Sequence, residues 1–183
     1  MTPDDLLAAY VAILRRWAPR LDLVSPGDIP RLEERHIRDS LRAAPLLDEL
    51  PEGPCADIGS GAGFPGIPLA IARPERPWTL IEPRQRRAAF LEEAVRELAL
   101  NARVVAKTAE LCADEESLTG RHVLATARAI AGPVSVEALA LPLLRPGGLT
   151  LVFRGAADDT APPAHAEEWA PGLLIMRKPF DDP

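Results

Sequence analysis

The stretch Asp57-Ile58-Gly59-Ser60-Gly61-Ala62-Gly63-Phe64-Pro65-Gly66 places four glycines within eight residues. It follows the short apolar run from Pro54 to Ile58 and precedes the apolar segment from Ile67 to Ala72. That order predicts a strand, a glycine-rich turn and a helix. Glycine supplies positive φ and lets a ligand come close to the backbone. Free N–H groups at a helix start favour anions, so such a turn makes a nucleotide-sized site.

Strands and helices alternate outward from this turn. Strands are predicted near 54–58, 78–82, 103–107, 122–126 and 149–154, and helices near 65–73, 84–100 and 133–144. The clearest helix is 84–100, where Phe90, Leu91, Ala94, Val95 and Leu98 repeat at helical spacing and Asn101 stands as a C-cap. Such alternation means a mostly parallel sheet with helices on both faces. Ahead of it, 3–18 reads as an amphipathic helix capped by Thr2, with Pro3 at its first position and Leu6, Leu7, Tyr10, Val11, Leu14 and Trp17 in one stripe. A second helical region covers about 30–47. These two form an N-terminal helical cap over 1–50, in front of a core over 54–183, and we read 1–183 as a single domain. Leu173 to Met176 reads as one more strand, while 155–172 reads as loop with at most a short helix around His165 to Trp169.

The bulk numbers fit an enzyme-sized globular chain. It has 183 residues, 47% hydrophobic and 26% charged. No apolar run reaches membrane-spanning length, and Asp4, Asp5, Arg15 and Arg16 interrupt the apolar region a signal peptide needs. The expected location is cytoplasmic, and the expected state monomeric. Cys55 and Cys112 form no metal-ligand spacing, and Cys55 reads as a small core residue. Net charge is −6, which argues against tight binding to naked nucleic acid. Of the 21 cations only Lys107 and Lys178 are lysines, a bias that suits phosphate and guanine contacts but that the base composition of the genome explains better than function does.

Two ligand classes compete for the turn. Gly61 to Gly66 spells the dinucleotide pattern G-x-G-x-x-G, and Glu82 follows at about the 20-residue distance of a ribose-binding acid. Read from Gly59, at the strand end, the pattern is G-x-G-x-G instead, as for S-adenosylmethionine. Asp57 just before the turn would repel a pyrophosphate and favour the cationic end of a zwitterionic cofactor, by direct or water-mediated contact. Leu143-Leu144-Arg145-Pro146-Gly147-Gly148-Leu149 is a helix-to-strand turn of the kind found before the fifth strand of methyltransferases using that cofactor. Glu82 ends the second strand, where a carboxylate accepts ribose hydroxyls or serves as a helix N-terminal acid.

The segment from Asp57 to Ile71, with its Phe-Pro-Gly-Ile-Pro, resembles the signature of the GidB/RsmG family, bacterial 16S ribosomal RNA guanine-N7 methyltransferases. Glu34-Arg35-His36-Ile37-Arg38-Asp39-Ser40-Leu41 resembles the family's E-R-H-x-x-D-S-L stretch, and Leu21 to Ser25 the segment before it. Arg86-Arg87 to Leu91, Ala109-Glu110 and Thr126-Ala127-Arg128-Ala129 match further elements in order, so the resemblance covers roughly 5–155. It implies a Rossmann-like class I methyltransferase fold of the α/β class. It also implies cofactor contacts at Gly59, Phe64, Ala109, Glu110 and Arg128, with Glu82 on the ribose. Asp57, Gly61 and Gly63 complete the expected cofactor set. Arg35, His36 and Arg154 are the expected substrate contacts, on 16S ribosomal RNA or the small ribosomal subunit.

Guanine N7 carries a lone pair and no proton, so its methylation needs alignment rather than a general base. No acid–base dyad is expected, and none of these residues is assigned a catalytic role. Two other readings remain open: a methyltransferase of the same fold with a small-molecule or protein substrate, and a non-catalytic NAD-binding protein. The chain departs from the family pattern after Gly155, where the tail is short, proline-rich and acidic, with Asp158, Asp159, Glu167, Glu168, Asp181 and Asp182. That tail has room for one strand, so an incomplete sheet is expected. Ala131-Gly132-Pro133 carries an extra glycine in a cleft loop.

Overall fold

The computed structural model describes residues 1–128, 135–155 and 161–180. A seven-stranded sheet runs through it in the order β3-β2-β1-β4-β5-β7-β6. The strands are β1 (Cys55–Ile58), β2 (Trp78–Ile81), β3 (Ala102–Val105), β4 (His122–Arg128), β5 (Leu144–Phe153), β6 (Glu167–Ala170) and β7 (Leu173–Arg177). The first five pair in parallel, and β7 and then β6 add antiparallel. The order reverses between β1 and β4, the position where open parallel sheets form a crevice at the carboxyl ends of their strands. β1 and β2 are buried throughout, as apolar runs covered on both faces must be.

The helices are α1 (Pro3–Trp17), α2 (Arg38–Leu41), α3 (Ala44–Glu49), α4 (Gly66–Ala72), α5 (Gln85–Glu97), α6 (Ala109–Cys112) and α7 (Val136–Ala140). On one face of the sheet, Tyr10, Val11 and Leu14 of α1 pack with Ile67 and Ile71 of α4, Phe90 and Leu91 of α5, and Leu80. On the other, Ala109 and Cys112 of α6 and Ala140 of α7 pack with Ala56, Ile58, Ala125 and Ala127. α1 begins as predicted: Thr2 and Asp5 form a reciprocal capping box, with Pro3 in the first turn. α5 ends at Glu97, ahead of the predicted cap Asn101, and Ala99 takes the positive φ of 50°. The predicted 133–144 helix is found over Val136–Ala140; Ala131-Gly132-Pro133, like Asp158, Asp159, Asp181 and Asp182, lies outside the described residues.

The helical region expected over 30–47 is divided. A 3-10 turn (Pro26–Arg31), a π turn (Glu33–Ile37), α2 and α3 follow one another, with Pro45 in the first turn of α3. Proline donates no N–H and clashes with the preceding turn, so one continuous helix cannot pass through it. Arg76, from beyond α4, closes the far end of α3: its guanidinium donates to the carbonyls of Leu47 at 2.6 Å, Leu50 at 2.8 Å and Pro51 at 3.0 Å.

The expectation of an incomplete sheet is overturned. β6 forms inside the stretch read as loop or short helix, and the sheet has its seventh strand. Glu167 and Glu168 have little intrinsic strand preference. The strand exists because Gly172, at φ 73°, turns the chain back so that Ala170 pairs with Leu173 and Glu168 with Leu174. Acidic side chains are tolerated there because β6 is the sheet's edge.

Candidate functional site

Positive φ values at Gly59 (66°), Gly61 (55°) and Gly63 (92°) carry the chain from β1 to α4. A hydrogen bond from Gly63 N–H to the Ser60 carbonyl (2.6 Å) tightens this turn, and Ser60 N–H donates to the Ile81 carbonyl (3.0 Å). Asp57 holds the turn from beneath. It is fully buried; Oδ1 accepts from the Thr126 hydroxyl at 2.8 Å and Oδ2 from Gly66 N–H at 3.3 Å. Asp57 and Thr126 are register partners on β1 and β4, which brings the two side chains together. The Asp57 carboxylate therefore serves the turn's own backbone.

Burial pushes the Asp57 carboxyl up to about 6 from an ordinary 3.8, opposed by the Thr126 and Gly66 bonds. Between those values the folded chain binds a proton that the unfolded chain has released, so stability falls as pH rises through that window. Above it the ionised group costs on the order of 2–3 kcal/mol. Asp57→Asn retains the shape, and its amide can donate to Thr126, whose hydroxyl already reaches the Ala56 carbonyl. The stability difference measured by urea unfolding is expected to move in favour of Asp57→Asn by about 2 kcal/mol from pH 4.5 to pH 7.5. A difference that stays flat with pH would show that Asp57 does not titrate in this window.

Glu82 follows β2 and lies beside the turn. Its side chain is buried; Oε2 accepts from Gly61 N–H and Oε1 from Arg84 N–H, both at 2.9 Å. Each carboxylate oxygen keeps lone-pair capacity for a further donor such as a vicinal diol. Arg87 of α5, named only within a sequence motif, reaches over the same place. Its Nη2 donates to the Asp22 carbonyl at 2.5 Å, which ties α5 to the segment after α1. Ala109 and Glu110 open α6 beyond β3, at the same carboxyl edge, capped by the Thr108 hydroxyl; Ala109 is buried and Glu110 exposed.

Phe64 joins the turn to the N-terminal helices. His36 stacks on it with ring centroids 4.9 Å apart at 20°, and Tyr10 meets it edge-on at 5.6 Å. The Tyr10 hydroxyl donates to the carbonyl of Ala62 within the turn. In the sequence Tyr10 is one more member of an apolar stripe, and nothing there marks its hydroxyl as a support of the turn. Burial and the neighbouring Asp57 raise its pKa far above the ordinary phenol value, so the phenol is neutral.

A groove of about 510 Å³ adjoins this stack, lined by Arg35, His36, Asp39, Arg128, Arg154 and Glu168. The expected substrate contacts Arg35, His36 and Arg154 are thus brought together with Arg128. Ile58 pairs with Ala127, so Arg128 stands level with Gly59. Its Nη2 donates to the Arg35 carbonyl at 3.3 Å, and Nη1 lies 3.3 Å from Asp39 Oδ2. Arg35 itself donates to Asp28 at 2.7 Å. His36 Nε2 stands 3.6 Å from Asp28, too far for a hydrogen bond. Burial, then the Arg128 charge, lower the pKa of His36 against the opposing pull of Asp28, so the imidazole is neutral near pH 7.

Both ring nitrogens of His36 and Nη1 of Arg128 are closed off from solvent with no hydrogen-bond partner among the described residues. Such atoms are costly when left unpaired. Their position at the topological switch, beside the glycine turn and the Glu82 carboxylate, fits a ligand with a nucleoside at one end and acceptor atoms at the other.

Comparison with known proteins agrees with this geometry. The sequence profile of rRNA small subunit methyltransferase G (GidB) matches residues 4–171. The ribosomal RNA small subunit methyltransferase G of Acidiphilium cryptum is 45% identical over 167 residues, 89% of this chain and 73% of its own length. That of Granulibacter bethesdensis is 42% identical over 165 residues, 90% of this chain and 74% of its own length. A Corynebacterium glutamicum protein of known structure covers 95% of this chain, and 91% of its own, at TM-score 0.62 and 18% identity. The methyltransferase-like yhhF of Escherichia coli covers 79%, and 86% of its own chain, at TM-score 0.57 and 19% identity. These two structures share the fold, and the sequence matches show that the chain belongs to the rRNA small subunit methyltransferase G family.

Proposed function

We propose that this protein transfers a methyl group from S-adenosylmethionine to N7 of a guanine in 16S ribosomal RNA of the small subunit. The observation that carries the reading is the cluster of buried polar nitrogens on His36 and Arg128, without hydrogen-bond partners among the described residues, beside the glycine turn and Glu82. Glu82 accepts the ribose hydroxyls, Gly59, Gly61 and Gly63 let the cofactor reach the backbone, and Arg128 takes its carboxylate. Ala109 and Glu110 border the adenine from α6. S-adenosylmethionine, when bound, would supply an electrophilic sulfonium methyl, to whose carbon N7 would donate its lone pair as the carbon–sulfur pair leaves on sulfur. The chain's own work is to orient the base and exclude water, and no residue needs to remove a proton.

Family membership and groove charge both support an RNA substrate. The protein carries −6 overall, and the groove sets Arg35, Arg128 and Arg154 beside Asp39 and Glu168, which leaves it one positive charge in excess, the sign that meets phosphate. Assembled small subunits also offer contacts from ribosomal proteins. The test uses small subunits and free 16S RNA from a strain lacking this gene, purified protein, and S-adenosylmethionine labelled in its methyl group. Label should enter one guanine as N7-methylguanine. Calorimetric binding of NAD without binding of S-adenosylhomocysteine would refute the reading.

A further inference from the structure

Asp39, on α2, is part of neither the glycine turn nor the stacked pair of Phe64 and His36. Its carboxylate instead joins two guanidiniums at the rim of the groove. Oδ1 accepts from Arg42 Nη1 at 2.9 Å, and Oδ2 lies 3.3 Å from Arg128 Nη1. Arg42 also donates to the carbonyl of Pro171 in the β6–β7 turn. The N-terminal helices, the end of β4 and the β6–β7 turn are therefore linked through Asp39 and Arg42.

The geometry at Arg128 shows what this linkage leaves available. Nη2 is committed to the Arg35 carbonyl. Nη1 is within ion-pair distance of Asp39, is shut off from solvent, and makes no aligned hydrogen bond among the described residues. A guanidinium is planar with its N–H groups in a fixed fork, so fixing one nitrogen and the position of the charge fixes the direction of the remaining N–H groups. Arg42 shares the Asp39 carboxylate, so the negative charge is only partly spent on Arg128 and does not cancel its attraction for another anion. Burial disfavours a charged Arg128, and Asp39 is the leading charge that opposes this.

We propose that Asp39 is a positioning residue: it holds the Arg128 guanidinium so that an N–H at Nη1 meets the carboxylate at the amino-acid end of the cofactor. This rests on the cofactor placement given under Proposed function. Asp39 does not touch the cofactor; it acts only through Arg128.

Two ligands separate this role from a merely structural one. S-adenosylhomocysteine carries the amino-acid end, whereas 5′-methylthioadenosine has the same adenosine and sulfur without it. Calorimetric titration of the wild-type chain should show a preference for S-adenosylhomocysteine of roughly 10- to 100-fold, the range of a charged hydrogen-bonded contact. Asp39→Asn keeps the size and one acceptor oxygen but removes the charge. It should weaken S-adenosylhomocysteine roughly tenfold and leave 5′-methylthioadenosine unchanged, and Asp39→Glu should recover part of the loss. Parallel weakening of both ligands would assign Asp39 a structural role and overturn the inference. So would an Asp39→Asn variant that keeps the full preference, with the proposed function left standing. A wild-type chain that binds both ligands equally would overturn the inference together with the cofactor placement at Arg128.

Discussion

Glu82→Ala should lower affinity for S-adenosylhomocysteine by a factor on the order of 10³ and methyl transfer at least as far. Two charge-assisted hydrogen bonds to ribose hydroxyls are each worth about 1.5–3 kcal/mol. The truncation also strips the acceptors from Gly61 N–H and Arg84 N–H, so the turn loses its shape as well as its ligand contact. Glu82→Gln keeps one acceptor oxygen but turns an amide N–H₂ toward one of those backbone donors, so an intermediate loss is expected. Calorimetry and a thermal melt on the same samples separate the two effects. Undiminished affinity in the alanine variant would remove Glu82 from the site.

Gly66→Ala should destabilise the fold by about 2–4 kcal/mol, read as a fall in Tm of roughly 5–12 °C. This reverses the usual sign, since alanine in a helix is favoured over glycine by about 1 kcal/mol. The reason is space. A Cβ on Gly66 would stand 2.7 Å from Leu80 Cδ2, 2.8 Å from Asp57 Oδ2 and 2.9 Å from Asp57 Cβ. Asp57 Cβ is fixed by its strand, so the relief has to come from α4 lifting off the sheet. That movement would also lengthen the Gly66 N–H bond to Asp57 and loosen the turn above it. Cofactor affinity should therefore fall along with Tm, and an unchanged melt would mean that α4 is not seated on β1 as described.

The local shape of the glycine turn was legible in the residues themselves. Gly59, Gly61 and Gly63 adopt positive φ where the glycine spacing demanded it, and Glu82 turns its carboxylate to that turn. Other members of the site gave no local sign. The Asp57–Thr126 bond spans 69 positions and the Tyr10–Ala62 bond 52. Thr126 stood within a matched motif, but nothing in it marked the hydroxyl as a partner of Asp57, and Tyr10 in an apolar stripe does not differ, as sequence, from ordinary core. The place of Asp57 before the turn was evident in the sequence, but the facing of its carboxylate toward Thr126 and Gly66 N–H depends on the strand lying beside it.

The sequence alone determined the strand, turn and helix at Asp57 to Ala72, the alternation that makes the sheet parallel, and the capped first helix. These depend on φ preferences, side-chain periodicity and capping within a few residues. Tertiary structure decided the addition of the seventh strand to the sheet and the meeting of Arg35, His36, Asp39 and Arg128 in one groove. Glu167 and Glu168 become a strand only because β7 offers them partners, and Arg128 reaches the Arg35 carbonyl, 93 positions away, only because β4 lies next to β1. Pairing and packing between distant segments settle such features, and no window of local sequence contains their energy.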